Sequence, residues 1–122
     1  MSNKNDKVGI LFINLSKIEG KPFDGTNQEG FVESVFSGTG INIPILDELR
    51  HSQLTVSWKD LKTGDIAIYS KDDTFVMGVV MGEIERQFCY ADPDTSTVKI
   101  EDFYEVVNGY QYINGKRVLS VE

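Results

Sequence analysis

Hydrophobic residues change their spacing about halfway along the chain. Up to Leu49 they recur at helical intervals; from Ile66 onward they come in short runs and alternations of the kind a β-sheet buries. In the first half, Val8, Leu11, Phe12, Leu15 and Ile18 share one face of a helix that Asn5 or Asp6 would cap. The density of Ile and Phe leaves a strand as the alternative. Gly20 and Pro22 end this element, and residues 21–26 form a loop. A second helix over residues 27–36 has Thr26 or Asn27 as its cap, with Phe31, Val32, Val35 and Phe36 as its apolar face. Ser37, Gly38 and Gly40 stop it. Pro44 suits the first position of a third short helical piece holding Ile45, Leu46 and Leu49. Residues 51–57 read as an exposed connection.

The second half predicts a sheet. Trp58 to Leu61 precede a Lys62-Thr63-Gly64-Asp65 turn, and residues 66–69 make the first strand. A polar hairpin loop over residues 71–74 leads to the nearly continuous apolar run of residues 75–81, as a central strand covered on both faces would have. Residues 82–86 turn the chain, residues 87–91 return, Asp92-Pro93-Asp94 forms a loop, and residues 97–100 make a further strand. Residues 101–107 are expected to hold a short helical turn. Residues 110–113, an Asn114-Gly115 turn and residues 117–121 then suggest a closing hairpin. Helices first and an antiparallel sheet afterwards is the α+β pattern, and 122 residues suit one domain, 1–122, with its core over about 8–120.

Charge and chemistry narrow the function classes. Nineteen acidic residues against twelve basic ones give a net charge of -7. That balance argues against sequence-independent binding to nucleic acid, which relies on Lys and Arg neutralising phosphates, and against docking on anionic membranes. A single cysteine, Cys89, and a single histidine, His51, leave no disulfide framework and no Cys/His zinc cluster. No metal site and no cofactor is expected. The apolar run of residues 8–15 is too short to span a bilayer, and no small-residue cleavage site follows it. The expectation is a protein without signal peptide that stays in the cytoplasm where it is made, or leaves as part of a virion.

The entrance of the second helix carries the most information. Glu19-Gly20-Lys21-Pro22-Phe23, then Asn27-Gln28-Glu29-Gly30-Phe31-Val32 with Val35-Phe36, resembles the entrance of the NlpC-type papain-like cysteine peptidases, which cut peptide stems of bacterial cell walls. Gly40-Ile41-Asn42-Ile43-Pro44 is similar to that family's helix exit, and Leu61-Lys62-Thr63-Gly64-Asp65-Ile66 to its turn into the first strand. Met77-Gly78-Val79-Val80-Met81-Gly82 is similar to its central strand, and Phe88-Cys89-Tyr90-Ala91 to the next. The resemblance implies a papain-like α+β fold, with N-terminal helices packed on a C-terminal antiparallel, partly barrel-like sheet. It also implies where the reaction would sit: a thiolate at the helix entrance, a His on the central strand as base, and a polar residue on the following strand to orient it.

None of those roles is filled. The nucleophile position holds Gln28, whose carboxamide is neutral and not nucleophilic. The base position holds Met77, and the orienting position holds Tyr90, or Cys89 if the register slips by one. Asn27 replaces the family's aspartate, and Glu29 its serine. The resemblance therefore implies a catalytically degenerate member with no catalytic residue, used as a structural or protein-binding module whose partner is a protein or a larger assembly such as a phage tail or baseplate. The alternatives are a module binding cell-wall peptide or another small ligand in the ancestral cleft, or a hydrolase working through Cys89 or a carboxylate. Three lesser candidates complete the reading: a His51–Cys89 dyad, a hard-cation site at Asp92, Asp94 and Asp102, and an interaction surface at Tyr104, Tyr110 and Tyr112.

Overall fold

The structure is a computed structural model that describes residues 4–43, 45–51, 57–82 and 87–118. Helix α1 (Lys4–Ile18) begins one or two residues before the expected caps and is a helix, not a strand. Helix α2 (Gln28–Phe36) is capped by Asn27, not Thr26. Helix α3 (Leu46–Arg50) follows, though Pro44 lies outside the described residues. A short 3-10 turn (Trp58–Asp60), capped by the Ser57 side chain, then leads into six strands: β1 (Ile66–Lys71), β2 (Thr74–Met81), β3 (Gln87–Asp92), β4 (Thr97–Asp102), β5 (Val106–Val107) and β6 (Tyr110–Lys116). They form one curled antiparallel half-barrel in the order β4-β3-β2-β1-β6-β5.

Alternation along the strands sends side chains to two separate cores. On the helix side, Met77, Val79, Cys89 and Ala91 pack with Leu11 and Leu15 of α1 and with Phe31, Val32, Val35 and Phe36 of α2. On the opposite face, Tyr69, Phe88, Tyr90, Phe103 and Tyr110 pack with Val76 and Val80. This is why β2 reads as an unbroken apolar run. Its residues from Val76 to Met81 are buried, and alternate ones belong to different cores. Asn14 ties the helical layer together, its Nδ2 donating to the carbonyls of Val35 (2.7 Å) and Ser37 (2.8 Å) at the end of α2. The segment after α1 then runs beside the β4 edge, with Gly20 N–H donating to Val98 and Phe23 N–H to Ser96.

Two local expectations fail for identifiable reasons. Residues 101–107 hold no helical turn: β4 continues to Asp102 and β5 follows. The Tyr69 hydroxyl donates to the Tyr104 carbonyl (2.6 Å) and Trp58 Nε1 to Glu105 (3.0 Å), so tertiary partners hold this stretch extended. Asn114-Gly115 is not a turn either. The closing hairpin turns at Asn108-Gly109, both at positive φ, as a two-residue hairpin favours. Asn114 sits inside β6, buried, and its Nδ2 donates to the Leu49 carbonyl at the end of α3 (3.1 Å). The sequence offers two Asn-Gly pairs, and a tertiary hydrogen bond commits the second to a strand. Arg117 and Val118 are not in a strand, and the rest of the expected return lies outside the described residues.

The turn into β1 is held by a buried charge. Asp65, 1% exposed, accepts from Lys62 N–H (2.7 Å) and from Arg117 through Nη2 (2.9 Å) and Nε. Gly78 has no room for a side chain: a Cβ there would overlap the Cys89 carbonyl oxygen and lie 2.8 Å from the Phe88 ring. Gly78→Ala is therefore expected to lower the unfolding free energy by about 2 kcal/mol or more, read as a shifted urea midpoint at unchanged slope.

Candidate functional site

The entrance of α2 is built by its own side chains and by the β3–β4 loop. Asn27 Oδ1 accepts from Gly30 N–H (3.1 Å), which satisfies one of the free donors of the first turn. Glycine at position 30 is required by that cap, because a Cβ would lie 2.1 Å from Asn27 Nδ2. Before the helix, Asp24 Oδ1 accepts from both the N–H and the hydroxyl of Thr26 (2.9 and 2.7 Å), and these bonds lower its pKa. Gly25 rests on Asp92 and Pro93, so closely that a Cβ would lie 2.5 Å from the Pro93 Cα. Phe23 meets Phe31 edge-on at 5.8 Å.

Gln28 enters this frame with its side chain 5% exposed. Its Nε2 donates to the Gly25 carbonyl (2.7 Å) and to the Ala91 carbonyl (2.9 Å), and its Oε1 accepts from Met77 N–H (2.9 Å). Both donors and the acceptor are thus used on backbone groups. The register explains why they are needed. β2 and β3 pair at Val79–Cys89, Val80–Phe88 and Met81–Gln87, and the pairing stops there. Two steps further, the same register would set Met77 opposite Ala91. The Gln28 carboxamide stands in that gap, bonding the N–H of one and the C=O of the other, and ties both strands to the loop before the helix.

The residues expected to cluster here are only partly brought together. Gln28 and Met77 meet, with Asn27 beside Gln28 as the helix cap, but Met77 does so through its backbone; its side chain is fully buried in the helix-side core. Cys89 faces the same core, one alternation from Ala91. Tyr90 points to the other face, stacked on Phe88 at 5.1 Å, with its hydroxyl accepting from Asn108 Nδ2 (3.0 Å). It does not line the entrance of α2. The β3 residue that meets Gln28 is Ala91, acting through its carbonyl, and no side-chain signal in the sequence could have marked it.

The remaining candidates separate in space. Cys89 is 1% exposed, and burial, with Glu19 adding negative charge, pushes its thiol up to about 12, so it stays protonated at neutral pH. It lines a small recess with Phe12, Leu15, Glu19, Met81 and Ile100. His51 is elsewhere: exposed at the end of α3, its Nδ1 3.3 Å from the Asp47 carbonyl. Asp92 is buried and accepts from Asp94 N–H, from the Thr95 hydroxyl and from Lys99 Nζ at 2.8 Å, which closes the β3–β4 hairpin. Asp94 is exposed and pairs with Lys71 at 3.8 Å, and Asp102 ends β4 exposed. Among the described residues no three His, Cys, Asp or Glu stand together in a metal-binding group. Of the three tyrosines, Tyr110 is buried, Tyr112 packs on Tyr69 at 5.5 Å, and Tyr104 is 60% exposed.

Beside Gln28 the surface opens into a second recess of about 400 Å³, lined by Thr26, Glu29, Leu46, Asp73, Phe75 and Pro93 among others. Glu29 is oriented within it by accepting from Leu46 N–H (3.0 Å). The Arg50 guanidinium stacks over Phe75, 4.1 Å from the ring centre. Sequence reasoning missed this recess because its walls come from four separate segments. Among the described residues, no helix is long and apolar enough to cross a membrane.

Removing the Gln28 side chain should leave three backbone groups buried without partners. Gln28→Leu is expected to cost about 3 kcal/mol in urea unfolding. Gln28→Glu would set a carboxylate against two carbonyl oxygens, raising its folded pKa above the ordinary value of about 4.3. Stability of that variant should be close to full below that pH and fall as pH rises through the folded pKa, a trend the parent lacks at this position. Asp92 shows the opposite sign. Burial alone would raise its pKa, but the bonds and charge of Lys99, with Asp94 N–H and Thr95, lower it overall from 3.8. Its contribution is present above the ordinary carboxylate pKa and is lost as pH falls through the lowered value; Asp92→Asn should remove that part of the acid unfolding curve.

Neither models of known protein families nor curated proteins match the chain.

Proposed function

We propose that this chain is a catalytically degenerate domain of the NlpC-type papain-like kind, used as a structural or protein-binding module. The observation that supports this most is the state of Gln28. At the position where such a peptidase would hold its thiolate, a buried carboxamide has both donors and its acceptor committed to backbone. Met77 cannot accept a proton, and Cys89 is buried with its thiol held protonated. The one side chain at the nucleophile position acts instead as mortar between a helix and two strands. By analogy with the family, the assembly it serves is a phage tail or baseplate.

A second reading rests on the recess beside Gln28. Its apolar walls and its few polar groups are the ingredients of a ligand site, and a peptide stem from the cell wall is the ligand that the family analogy suggests.

Purified protein incubated with cell-wall peptides separates these readings. The expected result is no cleavage by mass spectrometry, either in the parent or in Cys89→Ala, together with retention of the protein in an isolated assembly. Cleavage by the parent would overturn the non-catalytic reading. Calorimetric titration that shows the peptides binding without cleavage would favour the second reading.

A further inference from the structure

β4 is an edge strand, and the fold covers only half of that edge. On its outer side, Val98 N–H donates to the Lys21 carbonyl (3.0 Å) and the Val98 carbonyl accepts from Gly20 N–H (3.2 Å). Backbone groups along a strand turn alternately to its two sides, so Ile100 and Asp102 aim their N–H and C=O the same way as Val98. The covering segment does not reach them, because the chain before Gly20 is already the end of α1. Among the described residues, no hydrogen bond reaches those four groups. Such a row of free donors and acceptors is a template for an added strand.

The open half of the edge also borders a recess. This is the one that Cys89 lines, about 240 Å³ in volume, with Phe12 and Leu15 on its α1 side and Met81 and Ile100 on its sheet side. It has room for one aliphatic or aromatic side chain. Phe12 is 42% exposed and Ile100 half-buried, so the recess opens at the edge and not under it. A strand laid beside Ile100 would turn every second side chain to this face.

Charge says what kind of strand fits. Glu19 lines the recess, Asp102 alternates onto the same face as Ile100, and Glu101 onto the other. Lys99 is already paired with Asp92 at 2.8 Å, and Lys17 lies across α1 from Leu15 and Glu19. Among the described residues of these segments, Lys21 at the Val98 end then stands against three carboxylates. A second β4 matches poorly. A two-fold axis through Ile100 needs Val98, which Gly20 and Lys21 occupy. An axis through Glu101 or Asp102 sets that carboxylate against its own copy, which is destabilising.

We infer that Ile100 to Asp102 of β4 takes an extended segment of a partner protein as an added strand, with one apolar side chain in the recess and Lys or Arg beside it. Main-chain bonds would give the contact its affinity, and the recess and carboxylates its selectivity. This deepens the reading of the chain as a protein-binding module and rests on it.

A synthetic peptide, Lys-Thr-Leu-Lys-Lys with both ends blocked, tests the surface by NMR titration of the isotope-labelled full chain. The Ile100 and Asp102 amides should shift and exchange more slowly as peptide is added. Asp102→Lys, checked as folded by circular dichroism, should weaken binding by about tenfold or more. Two backbone-methylated peptides carry the decisive comparison, one methylated at its second and fourth residues and one at its third and fifth. One of them should bind like the parent peptide and the other about tenfold or more weakly, because only alternate N–H groups face β4. Equal binding of the two overturns the inference, since the main chain is then not engaged. So does peptide at millimolar concentration that leaves Ile100 and Asp102 unmoved. Protection of these amides that grows with protein concentration alone overturns it as well, because the occupant is then a second copy. A chain that is retained in an isolated assembly yet shows none of the peptide effects keeps the module reading and loses this surface.

Discussion

The fold depends on one carboxamide set in a break between two strands. β2 continues to pair with β1 down to Thr74, and β3 continues to pair with β4 up to Asp92, but β2 and β3 part company beyond Val79 and Cys89. The backbone groups exposed by that parting are buried under α2, where water cannot serve them. Gln28 supplies a donor to one strand and an acceptor to the other, and a further donor to the loop at Gly25. Glutamine suits the position because it offers donors and an acceptor without charge. A carboxylate offers no donor, and an apolar residue offers neither.

The rest of the helix side is arranged around that point. Asn27 caps the turn, glycine at position 30 makes room for the cap, and Gly25 lets the preceding loop settle on Pro93. Asp92, satisfied by Lys99, Thr95 and Asp94 N–H, fixes the hairpin on which that loop rests. The opposite face of the sheet is an independent aromatic core centred on Tyr69, Phe88 and Tyr90. Tyr90 belongs to that core, which is why it takes no part in the α2 entrance. The recess is what remains where α2, α3 and the two hairpin tips fail to close over Gln28.

Much of this was legible in the chain because local physics decides it. Leu11 and Leu15 of α1, the apolar face of α2, the Asn27 cap and the buried run of β2 follow from periodicity and side-chain chemistry, whereas Phe12, read with the same face of α1, is 42% exposed, and the loop read over residues 71–74 narrows to a two-residue turn because Lys71 pairs with Thr74. What was not legible depends on partners distant in sequence. Residues 101–107 stay extended because Tyr69 and Trp58 hold them, 35 and 47 residues away. Asn114 stays in a strand because the end of α3 needs a donor, 65 residues away. At the site, the importance of position 28 was visible, but its role was not. That role is defined by Ala91, 63 residues on, and only through its carbonyl.

The most direct test of this account is amide exchange at the carboxamide itself. In an NMR hydrogen-exchange experiment, the two Nε2 protons of Gln28 and the Met77 amide should exchange together, as slowly as the best-protected amides of β1 and β2, because only global opening frees them. Exchange of the Gln28 carboxamide at the rate of a solvent-exposed glutamine, with Met77 still protected, would show that the strands are not held by it.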